Sequence, residues 1–248
     1  GIESELIGPS GQVLWAFTIP DSAVLHYPFK NRSDSTIVEE LQDEDGTANE
    51  TTLITGTWWE DYAEQSDGTD YIELTTWADF GSSHIDGGDW GLAFTIETSV
   101  DEVNVLGFDD PNSDQMFALG IGSTSQVGFA PDDLIFRLRN ESGDMYEVQA
   151  DGGVINDGEK HRIMLGCLSD EASDFVWYFD GGSVTNNGLN NGTVTSFSDF
   201  NIPVYAHAVN SGGSAADILD GTLDNVIPLD SAPTQQDADD DYQNQPWT

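Results

Sequence analysis

DFVWYFDGG, residues 174–182, places four aromatic side chains in five positions and then stops them with Asp-Gly-Gly. In an extended chain Phe175, Trp177 and Phe179 fall on one face and Val176 and Tyr178 on the other. A strand apolar on both faces has to be covered on both, so this stretch predicts a central strand with material stacked above and below it. The Asp-Gly-Gly that follows supplies the residues a tight hairpin turn requires. Working outward, QVLWAFTI, DYIELTTW, DWGLAFTIET, QMFALGIG, DLIFRLRN, MYEVQA, HRIMLGCL, IPVYAHAV and LDNVIPL are also short, rich in β-branched and aromatic residues, and bounded by Gly, Asp, Asn or Pro. In DLIFRLRN the apolar Leu134, Phe136 and Leu138 oppose Ile135, Arg137 and Arg139, which is the alternation of a half-buried strand. ESGD, joining that strand to MYEVQA, reads as a hairpin loop, and SDGTD, DGGDW, ADGGVINDGEK and NNGLNNG read as turn chemistry. The fold class expected is all-β, a two-sheet antiparallel sandwich.

The chain has 248 residues and a formal net charge of −40, from 46 acidic against 6 basic side chains. Such a surface repels phosphate, so nucleic acid is excluded as a partner. Hydrophobic residues at 38% and aromatic ones at 10% argue against disorder, so the acid coats a real core. By size scaling the folded chain exposes roughly 11,000 Å², which spaces 40 net charges ~16 Å apart. The Debye length is about 10 Å at 0.1 M salt and about 3 Å at 1 M, so these charges feel one another in dilute buffer and hardly at all in brine. Asp outnumbers Glu about two to one, and Lys30 and Lys160 are the only lysines. The composition is read as adaptation to very high salt, with an ordinary acidic or calcium-rich surface as the alternative.

Cys167 is the sole cysteine, which rules out an internal disulfide. No stretch has the apolar length needed to cross a bilayer, and membrane insertion is not expected. The opening GIESELIGPSG shows neither the basic start nor the apolar run of a secretion signal.

Six pieces in order resemble the laminin-G-like and concanavalin-A-like jelly rolls, over about residues 24 to 230. LHYPFKN is similar to the opening aromatic strand of that group, and LQDEDGTANETTL resembles its D-x-x-G-x-x-N loop. SDGTDYIEL and WGLAFTIET resemble two further strands. GEKHRIMLGCLSDEASDFVWYFDGGSV resembles its pattern of a His before an alternating strand, a variable hairpin, and an aromatic strand ending Y-x-D-G. DGTLDNVIPLD resembles its G-x-L-D-x-V strand. The resemblance implies a jelly-roll sandwich over 24–231; residues 1–23 are expected as an arm or attachment segment of a surface-displayed protein, and 232–248, acidic and low in apolar content, as a C-terminal tail. The tail is expected as a short capping turn and a loose end.

The same resemblance implies a structural Ca²⁺ near the opening acidic loop and the L-D-x-V strand, where the matching oxygens are Asp43, Asp45 and Asp224. DDPNSD offers a second set, Asp110, Asn112 and Asp114, but lacks the Gly and the Glu of a calcium loop. Aromatic side chains stack on the C–H faces of sugar rings, and Trp58, Trp59 and Tyr62 in TWWEDY are the expected ligand-binding residues, with TWWEDY the segment expected to be exposed. Trp77 and Trp90 are further candidates, and a core or subunit-contact role is the alternative for each.

No catalytic residue is expected. Glycosidases need two carboxylates held a few ångströms apart. Here the pairs Glu39-Glu40 and Asp239-Asp240 lie in polar, loop-like stretches. His26, His84, His161 and His207 are scattered, with no Ser or Cys in a nucleophile-elbow context and no His-x-x-x-His spacing. Sequons at Asn31, Asn49, Asn140 and Asn191 matter only if the chain meets a glycosylating membrane.

The expected function is a non-enzymatic, surface-displayed, lectin-like domain. Its most concrete form is a decoration, turret or spike protein on a virion infecting an extreme halophile, which would need no secretion signal. Its partners would be other virion or surface proteins, further copies of itself, and host glycans. The alternative is a secreted or cell-wall carbohydrate-binding module of a halophile; a glycanase comes third.

Overall fold

The computed structural model describes residues 2–7, 13–19, 22–29, 35–37, 45–55, 58, 62–82, 89–110, 112–122, 133–152, 154–169, 171–194 and 202–245. In chain order the strands are β1 (Ile2–Ile7), β2 (Val13–Ile19), β3 (Thr36–Ile37), β4 (Gly46–Asn49), β5 (Thr52–Thr55), β6 (Tyr62–Asp67), β7 (Tyr71–Thr76), β8 (Trp90–Thr98), β9 (Asn104–Asp110) and β10 (Gln115–Ile121). The remainder supplies β11 (Leu134–Arg139), β12 (Met145–Asp151), β13 (Lys160–Cys167), β14 (Phe175–Phe179), β15 (Gly182–Asn191), β16 (Pro203–Ala206), β17 (Val209–Ser211), β18 (Ser214–Ala216), β19 (Asp220–Leu229) and, among the described residues, one α-helix, α1 (Gln235–Gln243). β1 and β2 pair with each other as an antiparallel hairpin.

Two sheets form the sandwich. Sheet I runs β5-β6-β19-β8-β13-β14-β15, and sheet II runs β3-β4-β7-β16-β9-β10-β11-β12-β15. The pairing is antiparallel apart from a short parallel contact of β17 with β9 and an isolated parallel bridge between Asn104 and Ile218. The all-β, two-sheet expectation therefore holds. β15 belongs to both layers: its start, Gly182 to Val184, pairs with β14, and from Thr185 onward it pairs with β12. NNGLNNG, read from the sequence as a turn, lies within this strand up to Asn191. Its polar side chains hide the period, and backbone pairing makes the strand.

The interior is aromatic. Phe136 stacks on Phe175 at 5.2 Å between centroids, and Phe175 meets Trp177 at 4.8 Å. Trp90 lies 5.1 Å from Phe136, and Trp77 lies 5.0 Å from Phe108. Trp77 and Trp90 are thus core residues, in line with the alternative given for them and not with sugar stacking.

β14 is covered on both faces, as its sequence requires. Phe175 and Trp177 face the second sheet, while Tyr178 packs with Ala93, Met164, Ile227, Leu229 and Ala238 of α1 on the outer side. The turn into β15 holds Asp180 at φ 51° and Gly181 at φ 79°, the two positive-φ residues of a two-residue hairpin loop.

The approach to α1 depends on missing side chains. A Cβ on Gly91 would sit 2.8 Å from the Ser231 carbonyl oxygen, and one on Gly166 would sit 2.9 Å from Cδ of Pro233. Residues 231–233 therefore lie directly on the sheet and lead into a helix whose first turn is closed by a capping box between Thr234 and Asp237. The segment expected as a turn and loose tail thus contains a docked helix, and Asp239 and Asp240 stand in it, not in a loop. The reason is the capping box together with a buried ion pair described below.

β19 changes partners midway. Up to Leu223 it pairs with β6; beyond an irregularity at Asp224–Asn225, where Asn225 takes φ 55°, residues 22–29 run along its edge. Tyr27 and Val226 exchange backbone hydrogen bonds at 3.0 and 3.2 Å.

Candidate functional site

The outer face of sheet I gathers residues that are far apart in sequence. Register places Gln65, Thr222, Glu97 and Lys160 side by side across β6, β19, β8 and β13. The next row holds Asp224, Thr95 and Arg162. Trp58 closes over the first row, with Lys160 Nζ 4.1 Å from its ring centroid. Burial pulls the Lys160 ammonium below the ordinary lysine range, and the carboxylates of Glu97 and Asp224 act in the opposite direction.

Two of the residues singled out from sequence, Trp58 and Asp224, are therefore neighbours of one lysine. Trp58 is only 3% exposed, so it is not the exposed residue expected of TWWEDY, because an ammonium already occupies its π face. Trp59 lies outside the described residues, and of Tyr62 only the backbone place at the start of β6 is described.

Calcium fits Asp224 poorly. Its carboxylate is fully buried and its cationic neighbour is the Lys160 amine, while Asp45 is exposed just ahead of β4 in the other sheet. Asp43 lies outside the described residues. Among the described residues no three His, Cys, Asp or Glu side chains converge as a cation site would require. The second acidic set is committed elsewhere. Asp110 accepts from the backbone N–H of Asn112 at 3.0 Å and of Ser113 at 3.1 Å and from the Ser113 hydroxyl at 2.5 Å. Burial pushes its carboxyl up, but these bonds outweigh burial and hold it below the usual range. Asp114 is paired with Arg139 at 3.2 Å. Asp109 and Asp110 thus end β9, and Asn112 to Asp114 form the turn into β10.

Beside the lysine, Arg162 is the anchor of α1. It is 1% exposed, and its Nε and Nη2 donate to Asp241 of the helix at 2.6 and 3.1 Å. Nη1 donates to the Asn225 carbonyl at 3.2 Å, and the Asn225 side chain meets His26 Nε2 at 2.5 Å. A buried polar chain therefore joins residues 22–29, the irregularity in β19, β13 and α1.

His161, at the start of β13, lies between Asp180 on Nδ1 at 2.8 Å and Asp157 on Nε2 at 3.1 Å. The hydrogen bond to Asp180 raises its pKa most; burial opposes this and Asp157 adds to it. A group whose folded pKa is raised adds stability that is complete below its unfolded value, near 6.5, and is lost as pH climbs through the folded value. Asp157 is lowered, first by the Glu159 N–H and then by His161, so its share is present above 3.8 and lost as pH falls through its folded value. His161→Gln is accordingly expected to cost stability between these limits, with the gap to wild type closing on the alkaline side of the raised His161 pKa. Denaturant melts over a pH series check this, and a gap that stays constant through alkaline pH contradicts it.

A third group lies on the outer face of sheet II and was not singled out from sequence. In β7, Ile72 and Leu74 point inward, which turns Tyr71 and Glu73 outward. Tyr205 of β16 pairs with Glu73, and Asn49 of β4 pairs with Tyr71. The Tyr71 and Tyr205 rings stack at 4.5 Å between centroids and 28° between planes. Tyr205 is 4% exposed, whereas Tyr71, Glu73 and Asn49 are half-buried. Burial pushes the Tyr205 phenol up to about 12, with Tyr71 and Glu73 adding to the effect. The alternation in YIELTT was the available signal for this face; the partner on β16 was not visible from it.

The sequence matches no known family and no curated protein. The fold, however, is shared. Domain 4 of AbnA, a GH43 extracellular arabinanase from Geobacillus stearothermophilus solved with arabinotriose, is similar with a TM-score of 0.63 at 15% identity, over 90% of this chain and 98% of that one. The binding domain of Paraclostridial Mosquitocidal Protein 1 is similar with a TM-score of 0.60 at 11% identity, over 88% of this chain and 51% of that one. The binding domain of botulinum neurotoxin DC, solved with rat synaptotagmin II, gives 0.61 at 8% identity, over 90% and 51%. The chain thus spans nearly all of the arabinanase domain and about half the length of the toxin binding domains. At these identities the likeness establishes the fold alone, a β-sandwich of the jelly-roll kind. Among the described residues no helix is long and apolar enough to cross a membrane.

Proposed function

We propose that this chain is a non-enzymatic recognition domain that binds glycans and is displayed outside a cell. Its most concrete form is a decoration, turret or spike protein on a virion infecting an extreme halophile. The observation that carries the binding role is the near full-length likeness to an arabinanase domain solved with arabinotriose. The net charge of −40 supports the saline setting, since such a surface is self-repelling in dilute buffer and screened in brine. Copies on one particle would provide avidity that a single shallow site lacks.

The test is binding of the purified chain, free and clustered on beads, to host-envelope glycans in molar salt, with immunogold labelling of virions and cells. Retention by the clustered form together with label on virions supports the proposal, and loss of the compact fold on dialysis into dilute buffer supports the saline setting. No retention by the clustered form removes glycan recognition. The second reading, a secreted or cell-wall carbohydrate-binding module, draws on the fact that the arabinanase domain belongs to a glycoside hydrolase. Label on the cell wall and none on virions selects it.

A further inference from the structure

We infer that the outer face of sheet II carries the sugar platform of this chain, with Tyr71 as the stacking ring, Glu73 and Asn49 as its polar partners, and an uncharged sugar as the ligand. This rests on the glycan-binding reading above.

Three observations carry it. The first concerns the ring. Tyr71 stacks on the buried Tyr205 of the neighbouring strand at 4.5 Å, so one of its faces is already covered and the ring is held ready before any ligand arrives. A platform already ordered spends little conformational entropy on binding. The fixed ring keeps part of its surface in solvent, unlike Trp58, Trp77, Trp90 and Trp177, each 3% exposed or less.

The second is the polar complement. Glu73 follows Tyr71 by two residues on the same strand face, and Asn49 is its cross-strand partner on β4. A carboxylate accepts hydroxyl protons, and an amide both donates and accepts, which matches the alternating hydroxyls around a sugar ring. Thr47, paired with Glu73 and exposed, extends that polar rim.

The third is charge. With a net charge of −40 and Glu73 beside the ring, a sialylated or sulfated sugar meets repulsion, and among the described residues no basic side chain is placed to offset it: Arg137, on the same sheet, is ion-paired with Glu147, and Arg139 with Asp109 and Asp114. An uncharged sugar meets no such repulsion, and its affinity through stacking survives in brine where long-range attraction does not.

The experiment uses the full chain, clustered on beads in molar salt, against oligosaccharide pairs that differ only in a sialyl or sulfate group. Wild type is expected to retain the uncharged member and to retain the anionic one less. Tyr71→Leu, which keeps apolar volume but removes the stacking face, is expected to weaken retention about tenfold, while Tyr71→Phe stays close to wild type. Glu73→Gln is expected to weaken it without moving the melting temperature. If the uncharged sugar is still bound equally by Tyr71→Leu, the platform is elsewhere and the glycan-binding reading stands. If the anionic member is preferred, the ligand class is wrong. If wild type retains neither member nor any other glycan, both the platform and the broader reading fall.

Discussion

Arg162→Ala is expected to lower the stability of the chain by about 3–5 kcal/mol, because it leaves the buried Asp241 carboxylate without its only charged partner in the described contacts. The arginine also holds the Asn225 carbonyl and approaches the Thr95 hydroxyl at 3.5 Å, so its loss strips donors from two more buried groups. Denaturant melts in molar salt measure the effect, and hydrogen exchange locates it: amides of α1 are expected to open well before those of β13 and β14. The double variant Arg162→Met with Asp241→Leu is expected to recover much of the loss, since apolar side chains of similar size replace a buried pair at little cost. A single variant that loses less than about 1 kcal/mol, as an exposed pair would, contradicts the account of α1 as pinned by this contact.

Trp177→Ala is expected to cost about 3–5 kcal/mol for a different reason, a cavity in the middle of the sandwich. The indole is 1% exposed, touches the rings of Phe175 and Phe179, and donates from Nε1 to Asn186 Oδ1 at 3.4 Å. Asn186 lies on β15 and donates in turn to the Ala172 carbonyl at 2.7 Å, so the tryptophan also steadies the strand shared by the two sheets. Trp177→Phe keeps most of the apolar volume and loses the N–H, and its cost should be clearly smaller. Equal losses for the two variants would mean that the hydrogen bond, and not the filled volume, dominates at this position.

These two residues also mark what could be read from the sequence and what could not. The alternation of FVWYF already required cover on both faces, and the Asp-Gly that follows already required a tight turn; both signals are local, and both hold. The hairpin across ESGD holds for the same reason, with the Asn140 side chain accepting the N–H groups of Ser142 and Asp144. β15 was hidden because GSVTNNGLNN places Asn and Gly where a buried strand places valine, and its order comes from neighbours on either side. α1 was hidden because four of its nine residues are Asp, poor helix formers, and what fixes it is an arginine far upstream. The meeting of Trp58, Lys160 and Asp224 depends on strand order, which no local window contains. The outward tyrosine of YIELTT was within reach of the alternation argument, but its stacking partner on β16 was not.

The dual membership of β15 carries a mechanical implication. In a sandwich whose layers touch only through side chains, a shearing pull slides one layer over the other by breaking dispersion contacts in succession. Here the layers are stitched by a single run of chain, hydrogen-bonded to β14 at its start and to β12 beyond it. Sliding at that edge has to rupture a row of peptide bonds' N–H···O contacts together, so a tug on either layer is passed to the other through backbone and the two are expected to give way as one.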